Sequence, residues 1–135
     1  MTRRSSQMKA ILDTHALLWF AEGDQRLPLK IRKLIEDSGI ELYISVASIW
    51  EIVVKVQKRT LKLDAQPEVW IPQVLRGIGA HPLPIRTRHA LGVIRLSLLH
   101  NDPFDRLIIA QAVAESLPLV TDDGVILRYP VNVLW

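Results

Sequence analysis

Short runs of strand-forming apolar residues alternate along the whole chain with longer segments of helical period. Lys9–Leu12, Leu42–Ser45, Leu119–Thr121 and Val131–Leu134 read as strands. His81–Ile85 reads as a weaker strand, which its two prolines confine to a sheet edge. Between the strands, helices are predicted over Thr14–Ala21, about Pro28–Asp37, Ser48–Gln57, Glu68–Gly77, Thr87–Leu98 and Pro103 to about Ser116. Within Ser48–Gln57, Ile49, Ile52, Val53 and Val56 form one apolar face at helical spacing. Gly77 is the expected stop of its helix. Asp102 reads as an N-cap with Pro103 at the first helical position, and Gly124–Arg128 as a short turn or helix. This alternation builds βαβ units, so the expected class is α/β with a mostly parallel, helix-covered sheet.

A chain of 135 residues makes one domain. We expect that domain over residues 9–135, preceded by a flexible basic extension over residues 1–8, with Met8 an alternative start to Met1. The absence of cysteine removes disulfide scaffolds, thiolate zinc sites and thiol catalysis. The net charge of +3 permits a nucleic-acid partner without requiring one. No apolar stretch is long enough to cross a bilayer, and Asp13 and His15 break the one segment that resembles a signal peptide. The expected compartment is the cytoplasm.

In parallel sheets of this kind the working site lies beyond the carboxyl ends of the strands. The residues expected there are Asp13, Glu51, Asp102, Asp105, Asp122 and Asp123, all carboxylates. Each has a structural explanation alone. Asp13 can cap the next helix, and Ser48 with Glu51 fits a capping box in the first helical turn. Asp102 can cap and Asp105 can face the helix dipole, while Asp122 and Asp123 suit a turn before Gly124.

These explanations leave the set unexplained. Asp13 and Glu51 lie in apolar stretches, AILDTHALLW and SIWEIVVKV, where an ionised carboxylate is costly unless paired or metal-bound. Lys55 is the i+4 partner of Glu51, and Asp13 has no neighbouring Lys or Arg. Oxygen donors without thiolates favour Mg²⁺ or Mn²⁺ over zinc. Such a site suits attack of an activated water on a phosphodiester. Lys55, Lys58, Arg59, Lys62, Arg86, Arg88, Arg95 and Arg106 are available cations for a polyanionic backbone. The four histidines show no ligand spacing and read as structural, with His100 alone near the acids, and Trp19, Trp50, Trp70 and Trp135 read as core or interface residues. Phosphate-loop, dinucleotide-binding and serine-hydrolase signatures are absent.

The segments DTHALLW (Asp13–Trp19), SVASIWEIVVKV (Ser45–Val56), HNDPFDRLIIAQA (His100–Ala112), LVTDD (Leu119–Asp123) and YPVNVLW (Tyr129–Trp135) resemble, in order, the landmarks of the PIN domain. The similarity is greatest to the VapC-type toxins of bacterial type II toxin–antitoxin pairs. It implies a PIN-like three-layer α/β/α fold and a Mg²⁺-dependent endoribonuclease that forms a homodimer and is inhibited by a small antitoxin protein. By position it implies Asp13, Glu51, Asp105 and Asp123 as the catalytic and metal-binding acids. Asp105 rather than Asp102 is matched because Ile108 and Ala112 follow it at the family's spacing. Asp102 and Asp122 are then flanking or alternative acids. Thr121 is a hydrogen-bonding neighbour, and Lys55, Arg59 and Arg106 are candidate RNA contacts. The chain departs from the family at Lys58-Arg59-Thr60, where relatives often carry a glycine-containing turn.

Two rival readings stand beside this one. Another Mg²⁺ phosphoryl-transfer enzyme, such as a phosphatase, would need an acid two residues after a nucleophilic Asp, and position 15 is His. A non-catalytic RNA- or partner-binding module on the same fold is the other.

Overall fold

In the computed structural model, which describes residues 8–135, the chain forms one five-stranded sheet covered by helices on both faces. The elements run β1 (Met8–Leu12), α1 (Thr14–Glu22), α2 (Leu29–Glu36), β2 (Ile40–Ser45), α3 (Val46–Gln57), α4 (Pro67–Ile78) and β3 (His81–Leu83). There follow α5 (Thr87–Gly92), a 3-10 turn at Val93–Arg95, α6 (Pro103–Glu115), β4 (Leu119–Val120), a second 3-10 turn at Ile126–Arg128, and β5 (Val133–Leu134). The strand order is β3-β2-β1-β4-β5 and every pairing is parallel. The chain therefore winds outward from β1 to β3, then returns through α5 and α6 to β4 on the other side of β1. The strand order reverses at the β1/β4 boundary, where open α/β sheets leave a crevice.

The strands are apolar on both faces because both faces are covered. Ala10 and Leu12 of β1, Leu42 and Ile44 of β2, and Val120 of β4 pack with Leu17, Ile31, Ile35, Trp70, Ile71 and Leu75 from α1, α2 and α4. Ile11 and Leu119, one residue out of phase, pack with Ile108, Ile109 and Ala112 of α6, and with Ile126 and Tyr129. Helix α3 contributes Ile52 to the first cluster and Ala47 to the second. A buried polar tie fixes α6 to the ends of β2 and β3. The Ser45 hydroxyl bonds to Gln111 Oε1, and Gln111 Nε2 donates to the Pro84 carbonyl at 3.1 Å.

Several boundaries differ from expectation, each for a local reason. The extension expected over residues 1–8 lies outside the described residues except for Met8, which already pairs with Ile40 as the first residue of β1. Helix α3 starts at Val46, directly after β2, because the Ser45 side chain accepts from the Ala47 amide at 3.0 Å. Glu51 therefore sits in the second turn, and the Ser48–Glu51 capping box does not form. Helix α4 stops at Gly79 instead of Gly77, since Gly79 has the left-handed φ of 67° that closes the helix end. The segment expected as a helix to Leu98 unwinds after Arg95. There the side chains of Arg106 and Tyr129 engage the Ser97 carbonyl, and Arg106 also reaches the Val93 carbonyl, which holds the segment in its irregular path. The strand expected from Val131 shortens to Val133–Leu134, and β3 is an edge strand as its prolines require.

Arg59, just past α3, has φ 62°, in the left-handed region. The turn is closed by bonds from the Thr60 and Leu61 amides to the Lys55 carbonyl at 2.9 and 3.2 Å. A side chain here carries a local strain of about 1 kcal/mol, which glycine removes. Arg59→Gly is expected to leave the thermal midpoint unchanged or raise it by a few degrees, and Arg59→Val to lower it. A thermal melt of both variants checks this.

Candidate active site

Asp13 follows β1, the central strand, and is only 5% exposed. Its backbone amide bonds to the Val120 carbonyl of β4 at 3.1 Å, so it stands at the β1/β4 crevice. Its Oδ1 accepts from the Ala16 amide at 2.7 Å and caps α1. Burial pushes this carboxyl up to about 6, against the lowering influence of the Thr121 hydroxyl and the Ala16 amide, with His15 lowering it further and Asp122 raising it. Among the described residues no lysine or arginine forms an ion pair with it.

Glu51 is 2% exposed. Its Oε1 accepts from the Thr14 hydroxyl at 2.8 Å, and the Ser48 oxygen lies 2.8 Å from that of Thr14. Its Oε2 pairs with Lys55 Nζ at 2.7 Å, one helical turn on. The two buried acids are therefore linked through consecutive residues: Asp13 caps the helix on which Thr14 orients Glu51.

The other two acids meet through a histidine. His100 Nδ1 accepts from the Asp102 amide at 3.1 Å, so the ring proton resides on Nε2. That nitrogen faces Asp123 Oδ2 at 2.9 Å and Asp105 Oδ2 at 3.1 Å. One ligand atom from each of His100, Asp105 and Asp123 lies within 4.8 Å of the others, the one such group of three among the described residues. Burial pushes Asp105 up to about 7, and the charges of Asp102, Glu51 and Asp13 push the same way, against His100. Burial also raises Asp123, but hydrogen bonds from His100 and the Val125 amide outweigh it and leave the carboxyl below its usual range. The Thr121 hydroxyl accepts from the Asp123 amide at 3.1 Å.

The structure thus brings Asp105 and Asp123 to one point with His100. Asp13 and Glu51 stand outside that tight group but close enough for their charge to act on Asp105. Asp102 caps α6, accepting from the Phe104 amide at 2.8 Å, and Asp122 is exposed outside the cluster. Lys55 is engaged by Glu51 yet still part-exposed, and Arg59 is exposed. Arg106 corrects the sequence reading. Its guanidinium donates to the Ser97 and Val93 carbonyls at 2.9 and 3.2 Å, so it braces the loop before α6 instead of standing free for phosphate.

Sequence reasoning missed Thr14 and Tyr129 and gave Ser48 and His100 other roles. Thr14 holds Glu51 and had no trace beyond a hydroxyl in an apolar helical stretch, while Ser48, read as a capping-box partner of Glu51, instead contacts Thr14. His100 was assigned a structural role, although its place two residues before the Asp102 cap put it beside the acids. Tyr129 accepts from the Leu99 and His100 amides at 3.1 and 2.9 Å and donates to the Ser97 carbonyl at 2.7 Å, anchoring the loop that carries His100. A lone tyrosine before a proline carried no signal of that.

The donor set suits a hard divalent cation. It consists of carboxylate oxygens, two of the carboxyls raised by burial, held beside an imidazole N–H, with negative charge in excess of the cations present. The PIN domain family model matches residues 10–132. Ribonuclease VapC22 of Mycobacterium tuberculosis is 30% identical over 116 residues, covering 84% of this chain and 85% of that relative. Among solved structures, VapBC2 from Rickettsia felis bound to a promoter DNA fragment superposes with a TM-score of 0.72 at 19% identity, covering 95% of this chain and 99% of that one. DNA-bound VapBC from Salmonella typhimurium gives 0.67 at 20% identity, with coverage of 94% and 97%. Fold and sequence similarity agree: the chain belongs to the PIN-domain family, in its VapC branch.

Proposed function

We propose that this protein is a divalent-metal-dependent endoribonuclease and the toxin of a toxin–antitoxin pair. The observation that carries the reading is the meeting of Asp105 and Asp123 at His100, with the buried Asp13 and Glu51 adding charge to the same edge. Asp13, Glu51, Asp105 and Asp123 would hold the ion, and the oxygens of Asp105 and Asp123 already face one another across His100. A bound Mg²⁺ or Mn²⁺ would offset the crowded charge and supply an activated water for attack on an RNA phosphodiester.

The protein's own residues set up that chemistry. Thr14, in contact with Ser48, orients Glu51, Thr121 steadies Asp13 and the Asp123 amide, and His100 keeps Asp105 and Asp123 side by side. Lys55 and the exposed Arg59 are the cations placed to meet a phosphate backbone.

The toxin role rests on the family and on the relatives, a ribonuclease VapC22 and the toxins of VapBC assemblies. The expected partners are a small antitoxin protein and a second copy of the chain. Exposed Leu91, Ile94 and Leu98, and the apolar groove lined by Ile49, Val53, Ile71 and Pro72, are surfaces that such partners would cover. No helix among the described residues is long and apolar enough to cross a membrane, and RNA cleavage would place the protein's action in the cytoplasm.

Incubation of the purified protein with single-stranded RNA should give cleavage with Mg²⁺ or Mn²⁺ and none with EDTA. Asp13→Asn keeps an oxygen for the Ala16 amide and should fold normally, while losing at least ~100-fold in cleavage rate. Full activity in EDTA, or in that variant, would reject the reading.

The raised carboxyl of Asp105 makes a pH prediction in metal-free buffer. The unfolded chain releases this proton near 3.8 and the folded chain near 7, so ionisation in the fold costs stability as pH rises across that window. Asp105→Asn should therefore be more stable than the parent at pH above 7, by on the order of 1 kcal/mol after discounting for partial exposure. The gap should close toward pH 4, below which both states of the parent are protonated. Denaturant unfolding at several pH values measures it.

A further inference from the structure

We propose that Trp50 is a base-stacking residue, holding an unpaired nucleotide of the RNA strand beside the acid cluster; this rests on the ribonuclease reading above. Trp50 is 60% exposed and is the one aromatic among the large exposed apolar side chains of the described residues. It immediately precedes Glu51 on α3. Its ring meets that of Phe104, which immediately precedes Asp105 on α6, edge-to-face at 5.4 Å and 82°. Two helices that each carry a site acid thus each present an aromatic ring one position before it, and the rings touch. The contact fixes the orientation of the indole, and its exposure leaves π surface open to solvent.

An apolar ring of this size outside the core has a chemical use at such a place. Every nucleobase offers a π-face whatever its sequence, and stacking on an aromatic side chain holds a single strand without reading its bases. A paired base is already stacked within its helix, so the platform favours an unpaired nucleotide. Lys55, paired with Glu51 on the same helix and part-exposed, is a cation available to the strand's phosphates. Glu51 follows Trp50 on α3 and Asp105 follows Phe104 on α6, so a base seated at the ring pair lies one residue along each helix from an acid.

The test is binding of labelled single-stranded RNA in EDTA, which separates affinity from cleavage. It uses the parent protein, Trp50→Ala, Trp50→Leu and Trp50→Phe. A second set of oligonucleotides carries one abasic nucleotide moved along the strand. Trp50→Ala and Trp50→Leu are expected to weaken binding about tenfold, with Trp50→Phe within about threefold of the parent. One abasic position should cost the parent a similar factor and cost Trp50→Ala nothing further. Because the side chain is largely exposed, all three variants should keep the parent's circular dichroism and melt within a few degrees of it. Binding by Trp50→Ala equal to the parent's on every oligonucleotide would overturn the proposal. So would Trp50→Phe binding as weakly as Trp50→Leu, or a defect confined to self-association with RNA affinity intact. A parent that shows the abasic effect but cleaves nothing with Mg²⁺ would support stacking at Trp50 and reject the nuclease reading alone.

Discussion

The burial of Asp13 at the end of the central strand is the constraint on which the acidic edge depends. β1 is hydrogen-bonded on both sides, to β2 and β4, and helices cover both faces. A carboxylate following it has little access to water. The fold keeps it there by using it as the cap of α1 and by surrounding it with hydroxyl and amide donors, not with a lysine or arginine. Neutral donors orient the charge without neutralising it. A cation offered from solution is then favoured where a surface carboxylate would be indifferent to it.

Around that point the remaining acids are placed by structural bonds that do no chemistry themselves. Glu51 is oriented by Thr14, one residue past Asp13. His100 arrives on an irregular loop that would be loose on its own. Tyr129 holds that loop through two amides and one carbonyl, and Arg106 grips it from α6. Gln111 then ties α6 to the strand ends. Tyr129, remote in sequence, thereby supports the loop whose His100 contacts both Asp105 and Asp123.

How much of this was legible in the chain follows from the range of each interaction. The strands, the six helices and the α/β class were readable because period and capping are local: Asp102-Pro103 opens α6 where expected. Helix boundaries failed where a side chain from elsewhere took over a backbone group, as Arg106 and Tyr129 do after Arg95. The early start of α3 was missed for a different reason, since Ser45 and Ser48 are both competent caps and only the end of β2 decides between them. The acids were readable as a set because strand ends in a parallel sheet share one edge. Their grouping was not, because the role of His100 depends on a loop path fixed by Tyr129, and the apparent freedom of Arg106 vanished only once its carbonyl partners were in place. Trp50 read as a core or interface residue for a similar reason: composition and spacing do not report which face of a helix remains uncovered.

The most direct test of the central claim is a calorimetric titration of Mn²⁺ into the parent protein and into an Asp105→Asn/Asp123→Asn double variant. The account predicts saturable binding by the parent and at least about tenfold weaker binding by the double variant, with its fold unchanged. Equal affinity in the two proteins, or no binding by the parent at millimolar metal, would contradict it.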